Sequence, residues 1–226
     1  TSTGTIAYLL ASLLAGISGV LIAPVTTIFY DSGFLLGLKA FVGAIIAGIL
    51  RPSSGTVRIG GIDISADPVA AKQKLGFIPD RPFIYEKLTG VEFLRFVAGL
   101  YGQSGSEVER RGRELLALFD LEEWQDELVE SYSHGMRQKL IISSAFVHKP
   151  EVIVVDEPMV GLDPKAARTI KDLFREYTRR GNTIMMSTHT LEVAESMCDR
   201  IGIIQGGVIR ALGTMAELRA SAHTGT

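Results

Sequence analysis

Residues 152–155, Val-Ile-Val-Val, form an unbroken apolar run. That pattern predicts a strand buried on both faces of a parallel sheet. Shorter apolar runs at Leu75–Ile78, Thr183–Met186 and Ile201–Ile204 predict further strands, the first of them stopped by Pro79. Between them the apolar spacing turns helical. It predicts helices over Val91–Leu100, Val108–Leu121, Gly135–Val147, Lys165–Arg179 and Leu191–Met197. Upstream, a Pro-Ser-Ser-Gly turn precedes alternation through Val57, Ile59, Ile62 and Ile64, which reads as a strand or hairpin. Downstream, Gly206-Gly207 turns the chain into Val208–Ala211. Strands alternating with helices imply an α/β fold with a largely parallel sheet.

The first fifty residues follow another rule. Of the 48 charged residues in the chain, 23 basic and 25 acidic, only Asp31 and Lys39 lie there. Ile6–Val25 is uncharged and holds ten Leu, Ile, Val or Phe residues in twenty positions, the length of a membrane-spanning helix. Small residues Ala11, Ser12, Ala15, Gly16 and Gly19 suit close helix packing in a bilayer. Phe34–Leu50 is a second apolar run, and Lys39 near its start can snorkel to the surface. The alternative for both is a buried soluble helix. With no basic residue ahead of Ile6, a cleavable signal peptide is a poor fit. A chain opening on Thr1 is expected to be a fragment or a trimmed form.

A net charge of −2 argues against a broadly basic nucleic-acid surface. The single cysteine, Cys198, excludes an internal disulfide framework and a cysteine-rich zinc site.

The chemistry concentrates at Val152–Pro158, where the apolar strand ends in Asp156 and Glu157. In parallel sheets ligands bind off the carboxyl ends of strands. One carboxylate there can hold Mg²⁺ or its water, and a second can orient an attacking water. Upstream lies Ser-Tyr-Ser-His-Gly-Met at 131–136; downstream lie Gly-Leu-Asp-Pro at 161–164 and Ser-Thr-His-Thr at 187–190. In this order and spacing, residues 51–226 resemble the ATP-binding subunit of an ABC transporter. The segment Ile78–Gly90 and the histidine of Ser-His-Gly-Met resemble exporter-type members most. The resemblance implies a P-loop NTPase sheet with a helical signature subdomain. It implies ATP and Mg²⁺ as cofactors, a second ATPase subunit and transmembrane permease subunits as partners, and no nucleic acid. It places the chain at the cell membrane, with the ATPase part on the cytoplasmic face.

Position by position, the resemblance makes Asp156 the metal carboxylate, Glu157 the general base and His189 the switch histidine that contacts the γ-phosphate. Ser133, His134 and Gly135 become the signature turn that binds a partner's nucleotide, and Asp163 the aspartate that communicates across the dimer. His134 stands where the family usually has glycine. Asp80 stands where it usually has glutamine, and a carboxylate there can still ligate Mg²⁺ or its water.

The phosphate-cradling pattern G-x-x-x-x-G-K-[ST] does not occur in the chain. The nearest text, Gly33–Ala40, has an apolar loop and no Ser or Thr after Lys39. Gly48–Gly55 resembles the end of the helix that follows such a loop. Before it, Leu21–Ile28 and Gly33–Gly48 resemble the permease subunit of branched-chain amino-acid ABC importers. The chain therefore reads as a mosaic: residues 1–50 a permease-like, membrane-spanning fragment, and residues 51–226 a truncated ATPase. The lost segment is expected to have carried the strand beside the catalytic strand and the phosphate-binding helix. Other readings are a permease fragment with a passive soluble tail, or a non-hydrolytic partner lending its signature turn to an intact ATPase. From Ile6–Val25 we expect the chain to stay in the membrane pellet after carbonate washing; full recovery in the soluble fraction would exclude a span.

Overall fold

The computed structural model describes residues 55–80, 84–205 and 208–223. At its centre three parallel strands run in the order β3 (Leu75–Ile78), β4 (Val152–Asp156), β5 (Thr183–Ser187). Ile78 pairs with Val155, and Asp156 with Ser187, so the carboxyl ends of the strands lie together.

Strand β4 sorts its side chains with period two. Ile153 and Val155 join the larger hydrophobic cluster, while Val152 and Val154 join a smaller one. The larger cluster is built from α2 (Gly90–Leu100), α3 (Ser106–Leu118), α4 (His134–Val147) and α5 (Pro164–Arg179). Nine residues of α4 are buried, so this helix is the axis of that layer. It lies directly against the sheet: a side chain on Gly76 would meet the Ala145 carbonyl oxygen at 2.8 Å. The smaller cluster sits under a hairpin, β1 (Arg58–Ile59) and β2 (Ile62–Asp63), and a short helix α1 (Pro68–Gln73). Gly60 and Gly61 turn that hairpin with φ of 53° and 81°, the left-handed pair that a two-residue loop requires.

Helix starts are set by side chains. Thr89 and Glu92 form a reciprocal capping box on α2. Asp67 caps α1 ahead of Pro68, and Asp163 caps α5 ahead of Pro164. Helix α6 (Leu191–Met197) follows β5. The antiparallel pair β6 (Ile201–Gln205) and β7 (Val208–Gly213) follows in turn, then α7 (Met215–His223).

Four sequence expectations change. The helix expected over Val108–Leu121 stops at Leu118, because Asp120 takes a left-handed φ of 55° and pairs with Lys165 at 2.7 Å. Helices α1 and α7 were not anticipated, since six and nine residues carry little periodicity. The strand or hairpin expected through Val57–Ile64 forms as a hairpin whose strands are two residues each, its pairing extended by one bond from the Ile64 N–H to the Val57 carbonyl at 3.0 Å. Finally, no strand can be added beside β4. Both of its edges are already paired, so a further strand has room only outside β3 or β5.

Both proposed membrane spans, Ile6–Val25 and Phe34–Leu50, lie outside the described residues. Among the described residues no helix is long and apolar enough to cross a membrane.

His148 closes α4 and is 3% exposed. Its Nε2 lies 3.1 Å from the Leu75 carbonyl oxygen, and its ring stacks on Tyr101 at 3.5 Å. Burial pushes its pKa down to about 4. An unfolded histidine takes up its proton near pH 6.5. Between these values the unfolded chain binds more protons, so the contribution is full above about pH 6.5 and lost as pH falls towards 4. At 1.36 kcal/mol per pKa unit the loss is about 3 kcal/mol at most. Denaturant unfolding of His148→Gln, which keeps a donor for Leu75 and does not titrate, should show a correspondingly shallower fall across that window.

Candidate functional site

Asp156 ends the central strand and is half-buried. The Ser187 hydroxyl, opposite it in register, donates to its Oδ1. Glu157 follows with a left-handed φ of 49°, a conformation that costs a non-glycine residue free energy and marks functional strain when found beside a strand end. Its N–H still bonds the Ser187 carbonyl at 3.1 Å, so the turn is anchored to β5.

The Glu157 side chain is buried yet well supplied with donors. The His189 N–H donates to Oε1 at 3.0 Å, and His189 Nδ1 lies 2.7 Å from the same oxygen. The Thr188 hydroxyl donates to Oε2 at 3.1 Å. That hydroxyl also accepts from the Thr190 N–H at 3.1 Å, which directs its own proton towards the carboxylate. The His189 ring is mostly exposed. With Nδ1 facing a carboxylate, the hydrogen belongs on Nδ1, and a neutral ring then offers Nε2 as an acceptor.

The second group of residues opens α4. Ser133 is the N-cap, its hydroxyl accepting from the Met136 N–H at 3.3 Å. His134 sits over the turn at Gly161, whose φ is 76°; a Cβ there would meet His134 Nε2 at 2.8 Å. Asp163 accepts from the Ala166 N–H at 2.8 Å, and this bond, aided by nearby Lys139, lowers its pKa. Lys139 on α4 lies 4.0 Å from Asp163, so the signature helix and the Gly161–Asp163 turn are neighbours. Asp80 is exposed, two residues beyond the end of β3.

The family model for the ABC transporter matches residues 39–160, more than half of the chain. The chain belongs to the ABC transporter ATP-binding family. The match starts twelve residues before Arg51. Curated relatives agree. The linearmycin resistance ATP-binding protein LnrL of Bacillus subtilis is 35% identical over 80% of this chain and 58% of its own length. EcsA of the same organism, an ABC-type transporter ATP-binding protein, is 36% identical over 77% of this chain and 70% of its own. The daunorubicin/doxorubicin resistance ATP-binding protein DrrA of Streptomyces peucetius is 34% identical over 78% of this chain and 53% of its own. The chain thus spans between about half and 70% of these relatives. A solved ATP-binding subunit of an ABC transporter superposes with a TM-score of 0.77 at 35% identity, covering 82% of this chain and 77% of that one. A dimeric ATP-binding cassette bound to ADP and Pi shares the fold, with a TM-score of 0.69 at 24% identity, covering 78% and 80% of the two chains.

In this ABC ATPase fold the structure brings Asp156, Glu157 and His189 together at the ends of β4 and β5, and Ser133–Gly135 together with the Asp163 turn. Asp80 lies two residues beyond β3, the strand paired with β4. Among the described residues no three acidic, histidine or cysteine side chains gather as a metal cage. The half-buried Asp156 carboxylate at the end of β4 suits Mg²⁺, which keeps several waters and uses one or two carboxylates plus substrate phosphates. The family as a whole binds ATP and Mg²⁺. The sequence reading missed Ser187 and Thr188. Both lie in the Ser-Thr-His-Thr motif it had singled out, yet only the histidine had been given a role.

Thr188→Val should leave a buried carboxylate oxygen short of a donor and cost about 1–3 kcal/mol in denaturant unfolding. Thr188→Ser should cost close to nothing; equal losses for the two would show that the hydroxyl does not hold Glu157.

Proposed function

We propose that the chain is the ATP-binding component of an exporter-type ABC transporter whose own nucleotide site lacks its phosphate cradle. The observation that supports this best is the buried Glu157 carboxylate, held by Thr188 and His189 beside Asp156. Two acids at the end of a central strand, one half-buried and one locked by donors from the next strand, suit phosphoryl transfer to water.

The roles follow from placement. Asp156, with Asp80 on the neighbouring strand end, would hold Mg²⁺, which neutralises phosphate charge when bound. Glu157 is the general base: its carboxylate takes a proton from the attacking water. For that, one of the donors on Oε1 must give way, and the His189 ring, exposed and on a short tether, is the one able to move. Ser133, His134 and Gly135 serve a nucleotide held by a second ATPase subunit, with backbone N–H groups at the start of α4 facing its phosphates. Asp163 caps the adjoining turn.

The partners in this reading are a second ATP-binding subunit and transmembrane permease subunits, with the ATPase on the cytoplasmic face of the membrane. The resistance functions in the names of LnrL and DrrA support the exporter assignment. The absence of G-x-x-x-x-G-K-[ST] from the sequence favours a chain that lends its signature turn to an intact partner.

Alone, the chain should not hydrolyse MgATP above background. Phosphoryl transfer depends on positioning and on stabilising γ-phosphate charge. A general base contributes about 10²–10⁴-fold, and only on a substrate already held in line. Glu157→Gln should therefore change nothing measurable in the isolated chain. Turnover that disappears on Glu157→Gln would refute the defect. With an intact exporter ATPase and ATP, a mixed dimer should elute from a sizing column; its absence would refute the lending role.

A further inference from the structure

One side chain ties the signature turn to the segment that follows β3. Arg137, on the first turn of α4, uses all three guanidinium nitrogens. Its Nε donates to the Tyr132 carbonyl at 3.1 Å, Nη2 to the Glu130 carbonyl at 3.0 Å, and Nη1 to Glu86 Oε1 at 2.5 Å. The two carbonyls belong to the loop that leads into Ser133. Glu86 belongs to the segment between β3 and α2, fifty-one residues earlier. That segment is stitched to the same loop by backbone bonds, Val129 N–H to the Leu88 carbonyl at 2.9 Å and Glu130 N–H to the Glu86 carbonyl at 3.0 Å. Lys87 adds an ion pair to Glu130 at 2.5 Å.

The backbone bonds end at Glu130. Ser131, Tyr132 and Ser133 then turn the chain into α4, and Arg137 is what reaches back across this turn. Its planar fork fits two carbonyls and one carboxylate in a single orientation, which a lysine cannot reproduce.

We propose that Arg137 is a positioning residue: with Glu86 it sets the Ser133–Gly135 turn relative to the segment after β3, so that displacement of one is felt by the other. The functional weight of this clamp rests on the reading of Ser133–Gly135 as nucleotide-facing. The clamp itself needs neither nucleotide nor partner. It adds a half-exposed ion pair to the backbone bonds and to the buried Tyr132, which already join the Glu86–Gly90 stretch to the loop before Ser133.

Hydrogen–deuterium exchange of the full chain, without nucleotide, tests it. Glu86→Gln removes the charge 51 positions away and leaves α4 untouched. It should raise exchange at the amides of 133–136 by about 1.4-fold to fivefold, the range open to a surface ion pair. Arg137→Gln strands two carbonyls as well and should raise it about tenfold or more. In the Arg137→Gln background, Glu86→Gln should add nothing, whereas in the Arg137→Lys background its effect should return in part. Exchange within β4 should stay at the wild-type rate throughout. Unchanged exchange at 133–136 in Glu86→Gln, or an effect of Glu86→Gln that survives the loss of Arg137, would overturn the proposal. Should Arg137→Gln unfold the chain, Glu86→Gln still decides. Failure of the mixed dimer described above would count against the lending role and leave these rates unaffected.

Discussion

Everything at the site hangs on β4 being paired along both edges. A strand bonded on each side to a parallel neighbour, with Ile153 and Val155 buried on one face and Val154 on the other, has no freedom left. Its last residue is therefore fixed in space, and Asp156 inherits that precision. The next residue cannot continue the strand. It turns with a left-handed φ, and the surrounding bonds hold it there: the backbone of Glu157 is tied to Ser187 and its carboxylate to Thr188 and His189. Strain of this kind persists only where neighbours over-determine it.

The donors around Glu157 replace the hydration that a buried acid gives up. An isolated carboxylate taken out of water would lose several kcal/mol, and it is tolerated only where hydrogen bonds replace its hydration. Here one oxygen meets a backbone N–H and an imidazole, and the other a hydroxyl whose direction is itself fixed by Thr190. The β5 end thus does for Glu157 what water does elsewhere. Both carboxylate oxygens are thus engaged, and of the groups that hold them the His189 ring is the most exposed.

Much of this was legible in the residue pattern because it depends on period and order. The apolar run ending in Asp156 and Glu157 predicted a buried central strand, and the helices over Gly135–Val147 and Lys165–Arg179 appear within a residue of their expected starts. The strand order was not legible. Which strands flank β4 depends on the register between Leu75 and Val152 and between Val152 and Thr183, and nothing local encodes it. A missing strand had accordingly been placed beside β4, where there is no room. Polar partnerships were hidden for the same reason. Arg137 and Glu86 look like two solvated charges in the sequence, and so do Lys139 and Asp163. Only the packing of α4 across the sheet brings each pair together.

The same geometry sets the charge balance of the two groups of residues. Asp156, Glu157 and His189 meet at the ends of β4 and β5. They bring two negative groups and one ring whose hydrogen already faces a carboxylate. Against a triphosphate this arrangement is repulsive unless cations and backbone N–H groups oppose it. In the family that opposing charge comes from the glycine-rich loop, its lysine and Mg²⁺. The signature turn escapes this penalty. Ser133, His134 and Gly135 present a helix start and no acid of their own, and Asp163 of the adjoining turn has Lys139 beside it and the Ala166 N–H on its oxygen. The helix start at Ser133 thus keeps an electrostatic sign that suits a phosphate.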